Sequence, residues 1–336
     1  YQLNENKPWA DKGFEIAANQ LILTGLAKSD KVPTTFPKVK VVSVEDGYKL
    51  RSAHGEEITI RKKDGALVSY KYQGTEQIAH AFLPHFTRPQ TDNDRKGWKP
   101  SKVLKVWYDA KPTLIDLTVD SSTSGIVTVV SKYMIVRDSA TAEVMYSFNG
   151  NGVLKVTNQL RVSKGLPNLP KVGMQGGIRK AYDQISWYGR GPQENYLDKR
   201  SGMDVGIYKL PITAFIEPYV YPQENGNRTD VRWMSLEDKQ RNGISVVADS
   251  LLSMSAWPYT EQALVTAKHH HLLKEAGYIT LNIDLIQMGV GGNDSWSEVS
   301  QPLPQYQVPA KDYRYSFYLV SGSPKDVNRK IKEIKF

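Results

Sequence analysis

Apolar and polar residues alternate along most of this chain with a period of two. The segments VKVVSVEDGYKLRS (39–52), EEITIRKKDGALVSYKY (56–72), PTLIDLTVDSSTSGIVTVVSKYMIV (112–136), AEVMYSFNGNGVLKVTNQLRV (142–162) and YRYSFYLVSG (313–322) alternate, or run apolar, at strand length. The turn signals EDG, KKDG and NGNG punctuate them, so FNGNGVLKVTNQL (148–160) reads as a hairpin. Helical periodicity is confined to SPKDVNRKIKEIKF (323–336). There Ser323 can cap, Pro324 suits the first helical position, and Val327, Ile331 and Ile334 share a face. The pattern predicts an all-β chain, with residues 39–336 as one large antiparallel domain.

The first thirty residues stand apart. WADKGFEIAANQLIL (9–23) places Phe14, Ile16 and Ala18 at period two, then Leu21 and Leu23, with Gly13 at a turn. Thirty residues cannot bury a core by themselves. Residues 1–30 are therefore expected to be the tail of a preceding domain, and the polar, Pro-containing stretch 31–38 a linker. The chain begins on Tyr1 rather than Met, as an excised piece of a longer protein would.

Composition narrows the class. The 336 residues are 40% hydrophobic and 24% charged, as in ordinary globular proteins. The net charge is +9 and the pI about 9.3. The lysines and arginines are interleaved with acids and RKK (61–63) is the densest run, so the charge reads as a solvated surface rather than a nucleic-acid interface. No apolar run approaches the length of a membrane-spanning helix. Cysteine is absent, which excludes disulfides and cysteine metal sites. The compartment stays open between cytoplasm and periplasm.

Four segments are too specific for ordinary strands and turns. In FTRPQTDNDRKGW (86–98), Arg88 precedes Asp92, Asn93 and Asp94. Those acids can hold the loop by pairing with Arg88 and capping turns, or can contact a sugar or a cation. The polar RKGWKPSK that follows suits a mobile lid. WYGRGPQENYLDKRSG (187–202) offers Gly189 and Gly191 for a tight loop, then Gln193, Glu194, Asn195 and Tyr196 together. EPYVYPQENGNR (217–228) flanks an Asn-Gly turn with Glu224 and Arg228, a pair suited to a structural ion bridge or to sugar contact. KHHHLL (268–273) would place His269 and His271 on one face of a strand, as a metal pair or as a polar interior layer bonded to neighbours such as Asp284. Close behind it comes LNIDLIQMGVGGNDSW (281–296), in which glycines lead to Asn293, Asp294 and Trp296. That tryptophan reads as presented to something rather than packed in a core.

In order and spacing, FTRPQTDND, YGRGPQENYLDKRSG, PYVYPQENGNR and LNIDLIQMGVGGNDSW resemble the C-terminal region of bacterial glycoside hydrolase family 2 β-galactosidases. PNLPKVGMQ (167–175) resembles that family's Pro-Arg-Ile/Leu-Gly element, with Lys171 where Arg is usual. Residues 1–28 resemble the last strands of the immunoglobulin-like domain that precedes it. The resemblance implies a galactose mutarotase-like β-supersandwich. It also implies a catalytic barrel elsewhere in the same polypeptide, which carries the two glutamates of retaining hydrolysis. The chain alone would then be inactive and hold no cofactor, any Mg and Na belonging to the missing domains. The substrate would be a β-galactoside or oligosaccharide. Trp296 would stack on its non-galactose part, with Asn293 and Asp294 beside it. Arg88, Asp92, Asn93, Asp94, Glu224 and Arg228 would be loop or sugar contacts, and residues 95–102 would match a mobile active-site loop.

Two readings from other classes stand beside this one. The first is a stand-alone aldose 1-epimerase, with His85, His269, His271 and Glu224 as its available acids and bases. The second is a free carbohydrate-binding module.

Overall fold

A computed structural model describes residues 1–21 and 35–322. The predicted helix over 323–336 and residues 31–34 of the predicted linker lie outside the described residues. The chain divides into two compact units, Tyr1–Lys31 and Val32–Phe336. In the first, bridges Gln2↔Glu15 and Lys7↔Ala10 close a small antiparallel turn. Gly13, at φ +93°, lies beyond the tip of that turn and returns its N–H to the carbonyl of Leu3.

In the second unit every strand pairing is antiparallel. The five patterned segments all form strands, and the expected hairpin is present with Phe148 opposite Leu154. The long strand Gly243–Trp257 organises the sheet. Its first half, Ile244–Ala248, runs beside Tyr313–Ser321, and its last, Ser253–Trp257, beside Tyr278–Gln287. Between these halves Asp249, Ser250 and Leu251 face solvent. Arg228–Glu237 pairs along its other edge, so on one edge this strand passes from one neighbour to the next, which is how sheets turn corners.

Side chains join parts of the sheet that are distant along its ladder. The Tyr70 hydroxyl donates to the Gly152 carbonyl and accepts from the Ser321 N–H, and the Tyr315 hydroxyl donates to the Ile283 carbonyl. The sheet therefore curls over a common hydrophobic cluster that includes Leu50, Tyr70, Val129, Trp187, Met254 and Phe317.

Strands at the margin alternate buried and half-buried positions, as in Ile126–Val136. The central strands Lys171–Arg179 and Tyr278–Gln287 are buried on both faces. Their second face is polar. Lys171 donates to Asn282 (2.9 Å) and sits 3.1 Å from Asp284, and Gln175 donates to Asn282 and to Glu261. Gly173 pairs with Asp284, and a Cβ there would lie 1.7 Å from the carboxylate, so only glycine leaves room for the acid.

Candidate functional site

The four motifs that carry the family resemblance meet around a pocket of about 240 Å³, lined by Thr91 and Asn93, Glu194 and Lys199, Glu224, and Val290, among others. The residues that line it sit in the connections between strands, so their irregular backbone is held by side chains rather than by a ladder.

Arg88 supplies the first anchor. It is fully buried and donates to the carbonyls of Met288 (2.8 Å) and Gly289 (2.9 Å), to Gln287, and to Asp94 at 3.2 Å. Asp94 also accepts from the Thr91 N–H (3.0 Å) and the Trp98 indole (3.0 Å). Arg88 and Asp94 thus fasten the 88–98 segment to the end of Tyr278–Gln287, at the root of the Trp296 loop. Asp92 points elsewhere: it pairs with Arg95 at 2.8 Å and exchanges hydrogen bonds with Gln223. Asn93 offers its carbonyl to Ser300 and lines the pocket.

Asn195 locks the next two segments together. Its N–H donates to the Asn227 carbonyl, its own carbonyl accepts from Asn227, and its side-chain oxygen accepts from both the N–H and the hydroxyl of Thr229. Glu194 accepts four hydrogen bonds, from Lys199, Tyr219, Tyr196 and the Gly226 N–H. That fills the lone pairs of a carboxylate. Glu224 differs. It is 3% exposed, and Gln287 reaches only one of its oxygens, at 3.4 Å. Burial pushes its carboxyl up to about 8, against the opposing pull of Lys171 and Arg88.

The loop carrying Trp296 is fixed at three points. Asp198 accepts the N–H groups of Val290 and Gly291, both at 2.8 Å. Asp294 turns inward and accepts from the N–H groups of Trp296 and Ser297 and from the Ser297 hydroxyl. Ser300 donates to the Asn93 carbonyl and accepts from the Trp98 N–H. Gly97 makes this last contact possible, since a Cβ there would lie 1.7 Å from the Ser300 hydroxyl. Trp296 itself is 75% exposed, against 0% for Trp187 and 3% for Trp233. Asn293 is exposed beside it.

Several sequence readings are corrected here. Gly189 and Gly191 lie inside the strand Gln184–Gly191, not in a tight loop after it. A Cβ on Gly189 would lie 3.0 Å from Val231, so it serves close strand approach. Glu224 and Arg228 do not pair. Arg228 is buried with its guanidinium 4.3 Å from the Phe215 ring and 5.1 Å from that of Trp187, and burial lowers it to about 10. The histidines do not form a strand or an interior layer. Residues 270–272 make a 3-10 turn, the rings of His269 and His271 stack at 5.5 Å on the surface, and the partner of Asp284 is Lys171. The stretch that includes the expected active-site loop at 95–102 is built of short helical turns, Asp94–Trp98, Pro100–Val103 and Lys105–Tyr108.

His85 pairs with Glu261 at 2.9 Å in the polar layer. Glu261 is drawn down to about 2, its burial outweighed by the His85 charge and hydrogen bond and by Lys171. Asp284 is held up at about 6 by burial in spite of Lys171. Among the described residues, no group of three or more His, Cys, Asp or Glu side chains is arranged to hold a metal ion, and no helix is long and apolar enough to cross a membrane. The anchors Asp198 and Ser300 were not singled out from sequence. Asp198 lies within a quoted motif, but its role depends on a contact 92 residues away.

Residues 52–319 match the family described as "Beta galactosidase small chain". A beta-galactosidase of Priestia megaterium (strain DSM 319) is 31% identical over 303 residues, covering 90% of this chain and 29% of its own length. A beta-galactosidase of Halalkalibacterium halodurans is 32% identical over 303 residues, 88% of this chain and 29% of its own. The chain therefore spans about 29% of these curated relatives. Among solved structures, a galactose 1-epimerase from Lactobacillus acidophilus NCFM aligns with a TM-score of 0.48 at 10% identity, over 85% of this chain and 99% of that one. The extent of the family match decides the assignment: the chain belongs to the beta galactosidase small chain family.

Proposed function

We propose that this chain is the sugar-contacting, assembly-supporting part of a glycoside hydrolase family 2 β-galactosidase. It completes the rim of an active site whose catalytic glutamates lie in a separate barrel. The observation that carries this reading is Trp296, a large indole three-quarters exposed on a loop clamped by Asp198, Asp294 and Ser300. An exposed aromatic on a mobile loop would order only on binding and lose affinity to that ordering. A clamped one presents stiff apolar area to the C–H face of a sugar at little entropic cost. The parent reaction is retaining hydrolysis of a terminal β-galactoside, with Trp296 against the non-galactose part of the substrate.

The test is Trp296→Ala in the enzyme that contains this chain, followed by steady-state kinetics on lactose. The expected result is a rise in KM larger than the fall in kcat, because stacking contributes to ground state and transition state alike. A loss of kcat with KM untouched overturns the stacking role.

A further inference from the structure

The pocket among the four segments has a chemistry of its own, separate from the exposed Trp296. Three of its polar groups are already committed. Glu194 is saturated by four donors, Gln223 gives both amide hydrogens to Asp92 and the Tyr221 carbonyl, and Asp92 is paired with Arg95. Glu224 is not. Its Oε2 receives no hydrogen bond among the described residues, although the residue is 3% exposed and lines the pocket. A carboxyl oxygen that lines a pocket without a protein partner can donate to or accept from a ligand there.

What surrounds Glu224 selects the class of donor. Lys199 keeps two ammonium hydrogens after its bond to Glu194. The Tyr196 and Tyr219 hydroxyls donate to Glu194 and so retain acceptor capacity. Asn93 lines the same space. The wall thus mixes donors and acceptors. A metal ion would meet the Lys199 ammonium and only one uncommitted carboxyl, which burial keeps neutral below about pH 8, and an anion would meet the carboxyl groups of Glu194 and Asp92 on the same wall. A neutral molecule with several hydroxyls, each both donor and acceptor, matches all of these groups. A volume of about 240 Å³ holds roughly eight waters at about 30 Å³ each, the room a monosaccharide needs.

We infer that this pocket is a binding site for a neutral polyhydroxylated ligand of monosaccharide size, with Glu224 and Lys199 as its main hydrogen-bonding groups. The inference does not require Trp296 to touch substrate.

The experiment is saturation-transfer NMR on the 336-residue chain with D-galactose, and with D-glucose and myo-inositol for comparison. The expected result is saturation of sugar protons that is lost in Glu224→Leu, weakened severalfold in Lys199→Met and retained in Trp296→Ala. Loss of the Glu224 contact should weaken binding about tenfold or more. Lys199 is solvent-exposed, so its variant tests the site even where Glu224→Leu fails to fold. The inference is overturned if no sugar is saturated by the wild-type chain, if the signal survives both pocket variants, or if Trp296→Ala alone abolishes it. It is also overturned if Na⁺ or Mg²⁺ raises the melting temperature in a Glu224-dependent way, which would make the pocket an ion site. Failure of the Trp296 kinetics leaves these results unchanged, so the two readings fail separately.

Discussion

Replacing Glu224 by Gln should make the chain more stable at alkaline pH. The carboxyl is buried, and its burial holds it up at about 8 against an ordinary value of 4.5. The folded state therefore binds this proton more tightly than the unfolded state does. The stabilisation that follows is complete below about pH 4.5 and is lost as the pH rises through 8. Ionising Glu224 inside the fold costs on the order of 3–5 kcal/mol. Gln keeps the shape of the neutral acid and its contact with Gln287, but it cannot ionise. Urea unfolding followed by tryptophan fluorescence at pH 5, 7 and 9 would measure the effect. Wild type should lose about 2–5 kcal/mol relative to the variant between the two ends of that range. Asp284, held up at about 6 by burial, titrates in the same window and its charge helps hold Glu224 up, but it is present in both proteins, so the difference reports Glu224 together with its coupling to Asp284. Parallel stability curves would refute the reasoning and would mean that Glu224 ionises freely in the fold.

Further substitutions probe the frame around the site. Lys171→Met should destabilise the chain by about 3–5 kcal/mol, because it leaves Asp284 buried without its cation; denaturant unfolding reads this, and a near-neutral result would mean the pair is not what satisfies Asp284. Gly97→Ala should push Ser300 away, loosening the link between the 94–98 turn and the Trp296 loop; faster amide exchange at Trp98 and Ser300, partly relieved in a double variant with Ser300→Ala, is the expected readout. Asp198→Ala should free the Val290 and Gly291 amides and raise KM for lactose in the parent enzyme while sparing global stability, and an unchanged KM would show that the loop holds its shape without Asp198.

Much of this architecture is legible in the chain because period-two patterning is a local signal. Ile126–Val136 and the hairpin around Asn149 and Leu154 face solvent on one side, so their alternation survives in the sequence. The central strands were harder. Lys171–Arg179 and Tyr278–Gln287 are buried on both faces, and their second face is a polar layer, so Gln175, Asn282 and Asp284 look like surface positions. The three consecutive histidines misled for the opposite reason. Their spacing suits a strand, but the chain turns there and leaves them outside.

In the site, the four motifs were recognisable and Trp296 could be expected to be exposed. The partnerships could not be read. Arg88 with Met288, Asp198 with Val290, and Ser300 with Asn93 join positions 92 to 207 residues apart, and only the closed sheet brings them together. Glu224 and Arg228 show the same limit at short range. They are near in sequence, yet the strand that starts at Arg228 carries the guanidinium to Phe215 and Trp187 instead.

The claim at the centre of this account is that Trp296 serves the part of the substrate beyond galactose. Comparing Trp296→Ala with wild type on lactose and on methyl β-galactoside, in the enzyme that contains this chain, tests it directly. Stacking on that part predicts a fall in kcat/KM of about tenfold for lactose and little change for the methyl glycoside, which offers no second ring to stack on. Equal losses on the two substrates, or no loss on either, would contradict it.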